Sequence, residues 1–290
     1  MNTPRQNALQ RLNKRSISAK DIANQFWCEK QMELYYTNGE KQTYVMQQGS
    51  AIHEKMQSEV YVPLRVEPAS WADRLYKTAY ENILTLNTLK KDKLGREFKV
   101  YGSLNAYSIA GQIDEFRMVD GKVVVVENKT TNAGRKMGAE YTRPHIVQVM
   151  LYRKLLDDIK SRSYSIQNFT ASYKLDSLKL SDGFVEGLKS IGLKDGLIGL
   201  REIYERMFND VAALPELSDD LVVHYLDRET KGTITEMAVK YDREAIDRDV
   251  IYAMKYWSGE REAAPVLEGE KWKCNMCRFF GKQCKKWWNG

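Results

Sequence analysis

The sequence feature that most constrains the fold is an Asp120-Gly121 dipeptide with an apolar run on each side. Ile113, Phe116 and Met118 precede it, and the run Val123 to Val126 follows it. Asp-Gly between two such runs is the strongest short signal for a β-hairpin. We therefore predict two antiparallel strands that meet at this turn.

Charged side chains stand at the far end of the predicted hairpin. Pairing of the strands brings Asp114 close to the sequence Glu127-Asn128-Lys129, in which Glu127 and Lys129 share one face and Asn128 points to the other. Two neighbouring carboxylates are stable when a cation lies between them, and oxygen ligands suit Mg²⁺ or Mn²⁺. The hairpin thus predicts a metal site in which Lys129 orients a water or neutralises charge on a phosphate. The alternative is a hairpin edge with solvated charges, because Glu-x-Lys is common on exposed strands.

Four cysteines form a second candidate metal site. Cys28 stands alone near the N-terminus, whereas Cys274, Cys277 and Cys284 follow one another near the C-terminus. In a chain of this size without a secretory signal, that spacing indicates metal ligation rather than disulfides. One distant cysteine and a triplet fit an iron-sulfur cluster better than a zinc ribbon, which takes its ligands as two close pairs. We expect a structural cluster that joins the chain ends; zinc and four unrelated buried thiols are the alternatives.

The remaining pattern predicts a sheet flanked by helices. Helices are expected at residues 18–36 with Ser18 as N-cap, 47–60, 71–89, 146–156 and 245–257. Strands are expected at residues 98–109, on both sides of Asp120-Gly121, at 168–175, and in a later hairpin of 221–226 and 233–241. No apolar stretch approaches the eighteen to twenty residues that span a bilayer, so we expect no membrane partner.

Several motifs, taken in order, resemble those of the RecB-type nucleases in the PD-(D/E)XK superfamily. They are His53 in Gly49–Glu54, Asp114 in G-x-x-D, Glu127-x-Lys129, Gln148-Val-Met-Leu-Tyr152, and the one-plus-three cysteine arrangement. With the segment Phe26–Glu33 around Cys28, the chain most resembles the exonuclease V family of single-strand DNA exonucleases. The CRISPR-associated RecB-like exonucleases are the next nearest match. The resemblance runs from about residue 16 to residue 288.

This resemblance implies a restriction-endonuclease-like α/β fold, with a mixed central sheet flanked by helices and the chain ends joined by a 4Fe-4S cluster. It implies one nuclease domain over residues 1–290, with a helical N-terminal part (about 16–95), a core (about 97–176) and a C-terminal part that carries the cysteines (about 200–288). The implied ligands of Mg²⁺ or Mn²⁺ are His53, Asp114, Glu127 and the backbone carbonyl of Asn128. Lys129 would act on the water, and Gln148 and Tyr152, four apart on one helix face, would lie beside the scissile phosphate.

The activity that the resemblance implies is metal-dependent hydrolysis of single-stranded DNA from its ends. Arg135, Lys136 and Arg143, in a loop before the Gln148 helix, are the candidate DNA contacts, and a net charge of +6 is compatible with such a partner. No P-loop motif is present, so no helicase motor is expected. The alternatives are a DNA-trimming subunit of CRISPR adaptation, which would bind an integrase or a single-strand-binding protein, and a non-catalytic single-strand-binding repair module.

Compartment and assembly follow from weaker signals. We expect a cytoplasmic monomer that is encoded by a prokaryote or by a phage. The basic first twenty residues, which hold no acid before Asp21, leave an organellar presequence open.

Overall fold

The structure is a computed structural model that describes residues 6–39, 47–49, 51, 63–134, 137–193 and 199–285. In these ranges the strands are β1 (Ile17–Ser18), β2 (Leu94–Leu104), β3 (Tyr107–Val119), β4 (Lys122–Thr131), β5 (Asp220–Asp227) and β6 (Thr233–Lys240). The helices are α1 (Ala8–Arg11), α2 (Ala19–Thr37), α3 (Trp71–Asp92), α4 (Ala139–Lys160), α5 (Ile166–Tyr173), α6 (Asp182–Ser190), α7 (Leu200–Ala212) and α8 (Arg243–Trp257). Two 3₁₀ helices span Leu175–Ser177 and Glu268–Met276.

The described strands form one mixed sheet. Its order is β1-β3-β4-β5-β6, and β2 pairs with the other edge of β3. The β1–β3 and β4–β5 pairs are parallel, and the β2–β3, β3–β4 and β5–β6 pairs are antiparallel. The predicted α/β class with a mixed sheet flanked by helices is therefore confirmed.

The β3–β4 hairpin has the turn that its sequence predicts. Val119 pairs with Lys122, so Asp120 and Gly121 are the two loop residues, and both have positive φ, 48° and 76°. This is the backbone that a two-residue type I′ turn requires, and Asp-Gly adopts it readily. The run Val123 to Val126 is buried, so β4 lies in the centre of the core.

Two strands share one edge of β3. β1 pairs with it at Ile109 and Ala110, and β4 pairs with it from Glu115 onwards, so residues 111–114 lie between the two pairings. From Val126 onwards, β4 pairs with β5 along its other edge. We call this parting of β4 from β3, with residues 111–114 and 127–129 around it, the fork.

Helix α4 packs against the sheet through a buried stripe that includes Val147, Leu151 and Leu155. Its approach is close at Gly111 on β3, where a Cβ atom would lie only 2.5 Å from Cε1 of Tyr152. Glycine is needed at this position because any larger residue would displace the tyrosine ring.

The helix start at Ser18 and the helix at residue 71 are confirmed. Ser18 accepts a hydrogen bond from the Asp21 main chain, and the Asp21 side chain accepts one from the Ser18 main chain, which is a capping box. The later hairpin and the helix that ends at Trp257 are also found. Of the helix expected at 47–60, only residues 47–49 and 51 lie in the described ranges, and they are helical.

Two expected strands were wrong. Residues 98–109 do not form one strand, because Asn105 and Ala106, with φ of 47° and 65°, turn the chain between β2 and β3. Residues 168–175 form no strand: α5 begins after Ser165, whose side chain caps the helix. Phe169 and Tyr173, four apart, stack on one helix face.

None of the helices that the structure describes combines the length and the apolar composition that crossing a membrane demands.

Candidate active site and cysteine pocket

The fork places the two predicted carboxylates side by side. The last pair of the β3–β4 ladder is Glu115 with Val126, and Asp114 and Glu127 are the next residues on their strands. Asp114 Oδ2 then accepts a hydrogen bond of 2.7 Å from the main-chain N–H of Asn128. The Asp114 carboxylate thus ties the two strands together where their ladder ends.

Lys129 joins this acidic pair to α4. Its Nζ lies 2.6 Å from Glu127 Oε1 and donates to Gln148 Oε1 at 2.9 Å. Gln148 Nε2 in turn donates to the hydroxyl of Tyr152 at 2.8 Å. Four residues that the sequence separates into two motifs therefore form one continuous hydrogen-bonded chain.

The site is largely shielded from solvent, and its charges depend on one another. Burial opposes the charged form of Lys129, but the carboxylates of Glu127 and Asp114 outweigh this effect and raise its pKa. Burial, followed by the same two carboxylates, raises the pKa of Tyr152 well above its ordinary value. Lys129 is therefore cationic, and the Tyr152 phenol keeps its proton.

One carboxylate oxygen in the fork has the character of a metal ligand. Glu127 is 2% exposed, and its Oε2 accepts no hydrogen bond from the residues that the structure describes. A buried carboxylate oxygen without a partner is costly unless something else satisfies it. The donor set of Glu127 and Asp114 suits a hard divalent cation.

The other two expected metal ligands stand differently. His53 lies outside the described residues. The Asn128 side chain bonds to His224 Nδ1 at 3.0 Å, and the role of its carbonyl stays a prediction.

Sequence reasoning missed three aromatic residues beside Lys129. Tyr141 and His145 lie on α4, and Tyr225 lies on β5 in register with Lys129. His145 Nδ1 is 2.9 Å from the Tyr225 hydroxyl, and the Tyr141 and His145 rings meet edge to face at 5.5 Å. Burial, and then the charge of Lys129, lower the pKa of His145 to about 3, so it is neutral. Tyr141 and His145 precede Gln148 by seven and three residues, and this helical spacing was a signal in the sequence.

The candidate DNA contacts are placed only in part, and Arg143, expected in a loop, lies inside α4, which begins at Ala139 rather than at residue 146. Arg135 and Lys136 fall outside the described ranges. Arg143 donates to both carboxylate oxygens of Asp249, at 2.5 and 2.7 Å, and its guanidinium lies over the ring of Phe26 at 5.1 Å. Its side chain is 40% exposed, so it can still face a ligand.

The four cysteines line a single pocket, which also includes Trp27 and Lys273. The backbone of α2 is locally extended at Cys28, with φ of −170°. Burial raises the pKa of the Cys28 thiol to about 11, although main-chain N–H groups of Gln31 and Val266 oppose this rise. In the part of the chain that the structure describes, no three His, Cys, Asp or Glu side chains are grouped tightly enough to hold a metal ion. The thiols thus share a pocket of suitable donor chemistry without being gathered around a common centre.

A buried ion pair holds the chain ends together beside this pocket. Glu29, 2% exposed, accepts two hydrogen bonds from the guanidinium of Arg261 and one of 2.8 Å from the main chain of Ala264. The Ala264 carbonyl also accepts from the main chain of Lys30 at 3.0 Å. We call these contacts of Glu29 and Lys30 with residues 261–264 the clasp.

Comparison with known proteins gives a consistent result. A family model described as "Exonuclease V - a 5' deoxyribonuclease" matches residues 7–120, 117–198 and 195–288. An Exonuclease V from Danio rerio is 24% identical over 280 residues, which cover 93% of this chain and 70% of the relative. A solved structure described as "Crystal structure of SSO0001" aligns over 94% of this chain and 89% of its own, with 12% identity and a TM-score of 0.42. A TM-score of this size carries no conclusion about the fold, so the sequence matches alone indicate the family.

Proposed function

The chain belongs to the exonuclease V family of deoxyribonucleases, and on this premise we propose that it hydrolyses single-stranded DNA from its ends with a divalent metal ion. The observation that carries the proposal is the continuous chain of contacts from Glu127 through Lys129 and Gln148 to Tyr152. Such an arrangement places a carboxylate, a cation and neutral donors along one hydrogen-bonded chain, and these are the kinds of group that phosphodiester hydrolysis uses.

The metal would be held by Asp114 and Glu127, with His53 and the backbone carbonyl of Asn128 as further ligands. The partnerless Glu127 Oε2 supports this assignment. When bound there, Mg²⁺ or Mn²⁺ would polarise the phosphodiester and lower the pKa of a coordinated water.

The side chains near the metal site would each have a separate role in hydrolysis. Lys129 uses two of its three N–H groups on Glu127 and Gln148, which leaves one for the attacking water or for a phosphate oxygen. Gln148 fixes the Lys129 ammonium, and it donates to the Tyr152 oxygen, so the phenolic proton remains a donor toward the phosphate. These groups are held in place before the substrate arrives, so they need little rearrangement.

Substrate binding would involve the loop before α4 and the start of that helix, where Arg143 lies. Arg135, Lys136 and Arg143 are proposed to follow the phosphates of the DNA strand. Arg143 supports this in one respect, because its guanidinium is fixed by Asp249 and by the ring of Phe26 while part of it faces solvent.

The four cysteines are proposed to ligate a structural 4Fe-4S cluster, in a fold of the restriction-endonuclease-like type. Their convergence on one pocket supports the proposal, as do the two main-chain N–H groups directed at the Cys28 sulfur. The buried Lys273 ammonium would offset negative charge of four thiolates. Iron and sulfide analysis of the purified protein distinguishes this cluster from zinc.

End-labelled single strands, with Mg²⁺, Mn²⁺ or EDTA, test the proposed activity. Asp114→Asn keeps an acceptor oxygen for the Asn128 N–H but loses the charge, and Lys129→Met keeps the length of the side chain. Both are expected to lower kcat by a hundredfold or more, at roughly the scale of losing one electrostatic contact. The control, Asp220→Asn, removes an exposed carboxylate from the start of β5 and should leave the rate unchanged. Cleavage that survives EDTA, or both variants cutting at the wild-type rate, would contradict the proposal.

A further inference from the structure

One face of α4 carries more of the site than the Gln148 and Tyr152 pair. Tyr141, His145, Gln148 and Tyr152 are spaced by four, three and four residues, so they lie along one helix face. Gln148 holds Lys129 directly. The preceding turn therefore brings His145 to the same side of the sheet, where the charge of Lys129 helps to lower the pKa of the imidazole.

Tyr225 fixes this histidine from the neighbouring strand. It pairs with Lys129 in the parallel β4–β5 ladder, so the two side chains stand on adjacent strands at the same level. Tyr225 is fully buried, and its hydroxyl lies 2.9 Å from His145 Nδ1. A single hydrogen bond thus connects α4 to β5 directly beside the lysine.

Lys129 needs such a neighbour because its side chain has four rotatable bonds and many rotamers. Glu127 and Gln148 hold the ammonium by hydrogen bonds, and Tyr225 stands in register with Lys129 on the next strand. The imidazole is neutral in this environment, so it brings no second positive charge that would repel the ammonium.

We propose that His145, oriented by Tyr225, is a positioning residue that keeps the ammonium of Lys129 directed at Glu127 and the scissile phosphate. This rests on the proposed function, in which Lys129 takes part in hydrolysis. Neither residue needs to touch the substrate in this role, so both should affect turnover rather than DNA affinity.

Two small substitutions test the pair. Tyr225→Phe removes one hydroxyl, and His145→Phe removes the imidazole nitrogens but keeps an aromatic ring. Each is expected to lower kcat about tenfold with KM within about twofold. Because the two residues act through one contact, the double variant should be little slower than either single variant. The matched control is Tyr204→Phe, which also removes a buried hydroxyl, bonded to Tyr101 and to the Leu75 carbonyl in the core.

A second measurement follows Lys129 without DNA or turnover. Reductive methylation of the folded protein, quantified at Lys129 by mass spectrometry, should proceed several-fold faster in Tyr225→Phe than in wild type or Tyr204→Phe. Unchanged methylation and unchanged kcat would overturn the proposal. So would a raised KM at constant kcat, which indicates direct DNA contact, or an equal loss of kcat in Tyr204→Phe. If Lys129→Met still cuts DNA, the proposed function fails, whereas the methylation rates still decide whether His145 and Tyr225 position the lysine.

Discussion

A methyl group added at Gly111 should disable the site without touching any charged residue. A Cβ atom at this position would lie 2.5 Å from Cε1 of Tyr152 and 3.0 Å from Cβ of Ala19. Carbon atoms pack at about 3.5 Å or more, so the ring would have to move by roughly 1 Å. The Gln148–Tyr152 hydrogen bond is 2.8 Å long, and a shift of that size stretches it beyond bonding range.

The expected cost has two parts. Overpacking of this kind lowers the free energy of unfolding by about 1–3 kcal/mol, which urea unfolding measures directly. Misplacement of a positioning group by about 1 Å lowers kcat by roughly tenfold to a hundredfold. The change reaches Lys129 through Gln148, so the loss in kcat should exceed what the lost stability explains.

The control for Gly111→Ala is Gly183→Ala, in α6, where a Cβ atom meets nothing within 4 Å. A second control is the double variant of Gly111→Ala with Tyr152→Ala, in which the methyl group has no ring to displace. In that background the added methyl should cost far less stability than in wild type. If Gly111→Ala keeps wild-type stability and kcat, Tyr152 does not pack on β3 as described and the reasoning fails.

The remaining predictions concern His145 and the clasp. Burial and the charge of Lys129 lower the pKa of His145 from 6.5 to about 3, so its contribution to stability is complete above pH 6.5 and is lost as the pH falls toward 3. Between pH 7 and pH 5 this loss is about 2 kcal/mol, and His145→Phe should remove it from urea unfolding curves; an identical pH dependence in the variant would count against the buried neutral histidine. Arg261→Met leaves Glu29 buried without its cation and should lower the free energy of unfolding by about 3–5 kcal/mol, and a loss below about 1 kcal/mol in urea would show that the pair is not buried as described. Cys28→Ala should abolish the proposed cluster but still unfold in one transition, because the clasp remains; separate unfolding of the C-terminal segment would contradict this.

Short sequence signals correctly predicted the turn and the helix start, because both depend only on neighbouring residues. The Asp120-Gly121 turn supplies the two positive φ angles that a hairpin needs, and the Ser18 capping box satisfies the first main-chain N–H groups of α2. The strand predicted at residues 168–175 was wrong because the prediction used the apolar content of the segment and ignored the spacing of its apolar residues. Phe169 and Tyr173 are spaced for a helix, and Ser165 provides the cap.

Some residues of the candidate site could likewise be predicted from local sequence, and others could not. Asp114, Glu127 and Lys129 could be placed together from the hairpin alone, because strand alternation and pairing fix their faces. Tyr225 could not, because it is 80 residues from His145 and only the parallel β4–β5 pairing brings it beside Lys129. The clasp was missed for the same reason, since no local pattern links Glu29 to Arg261.

The clasp also orders events on the ribosome. Glu29 leaves the exit tunnel well before its partner Arg261, which is made 232 positions later, after all six strands that the structure describes. Nascent chains of intermediate length therefore carry the acidic hairpin and α4 before residues 261–264 are available to cover the surface of α2 around Glu29. Only when translation has passed Cys284 can all four thiols meet, so the proposed cluster would assemble after every strand of the sheet that the structure describes has been made.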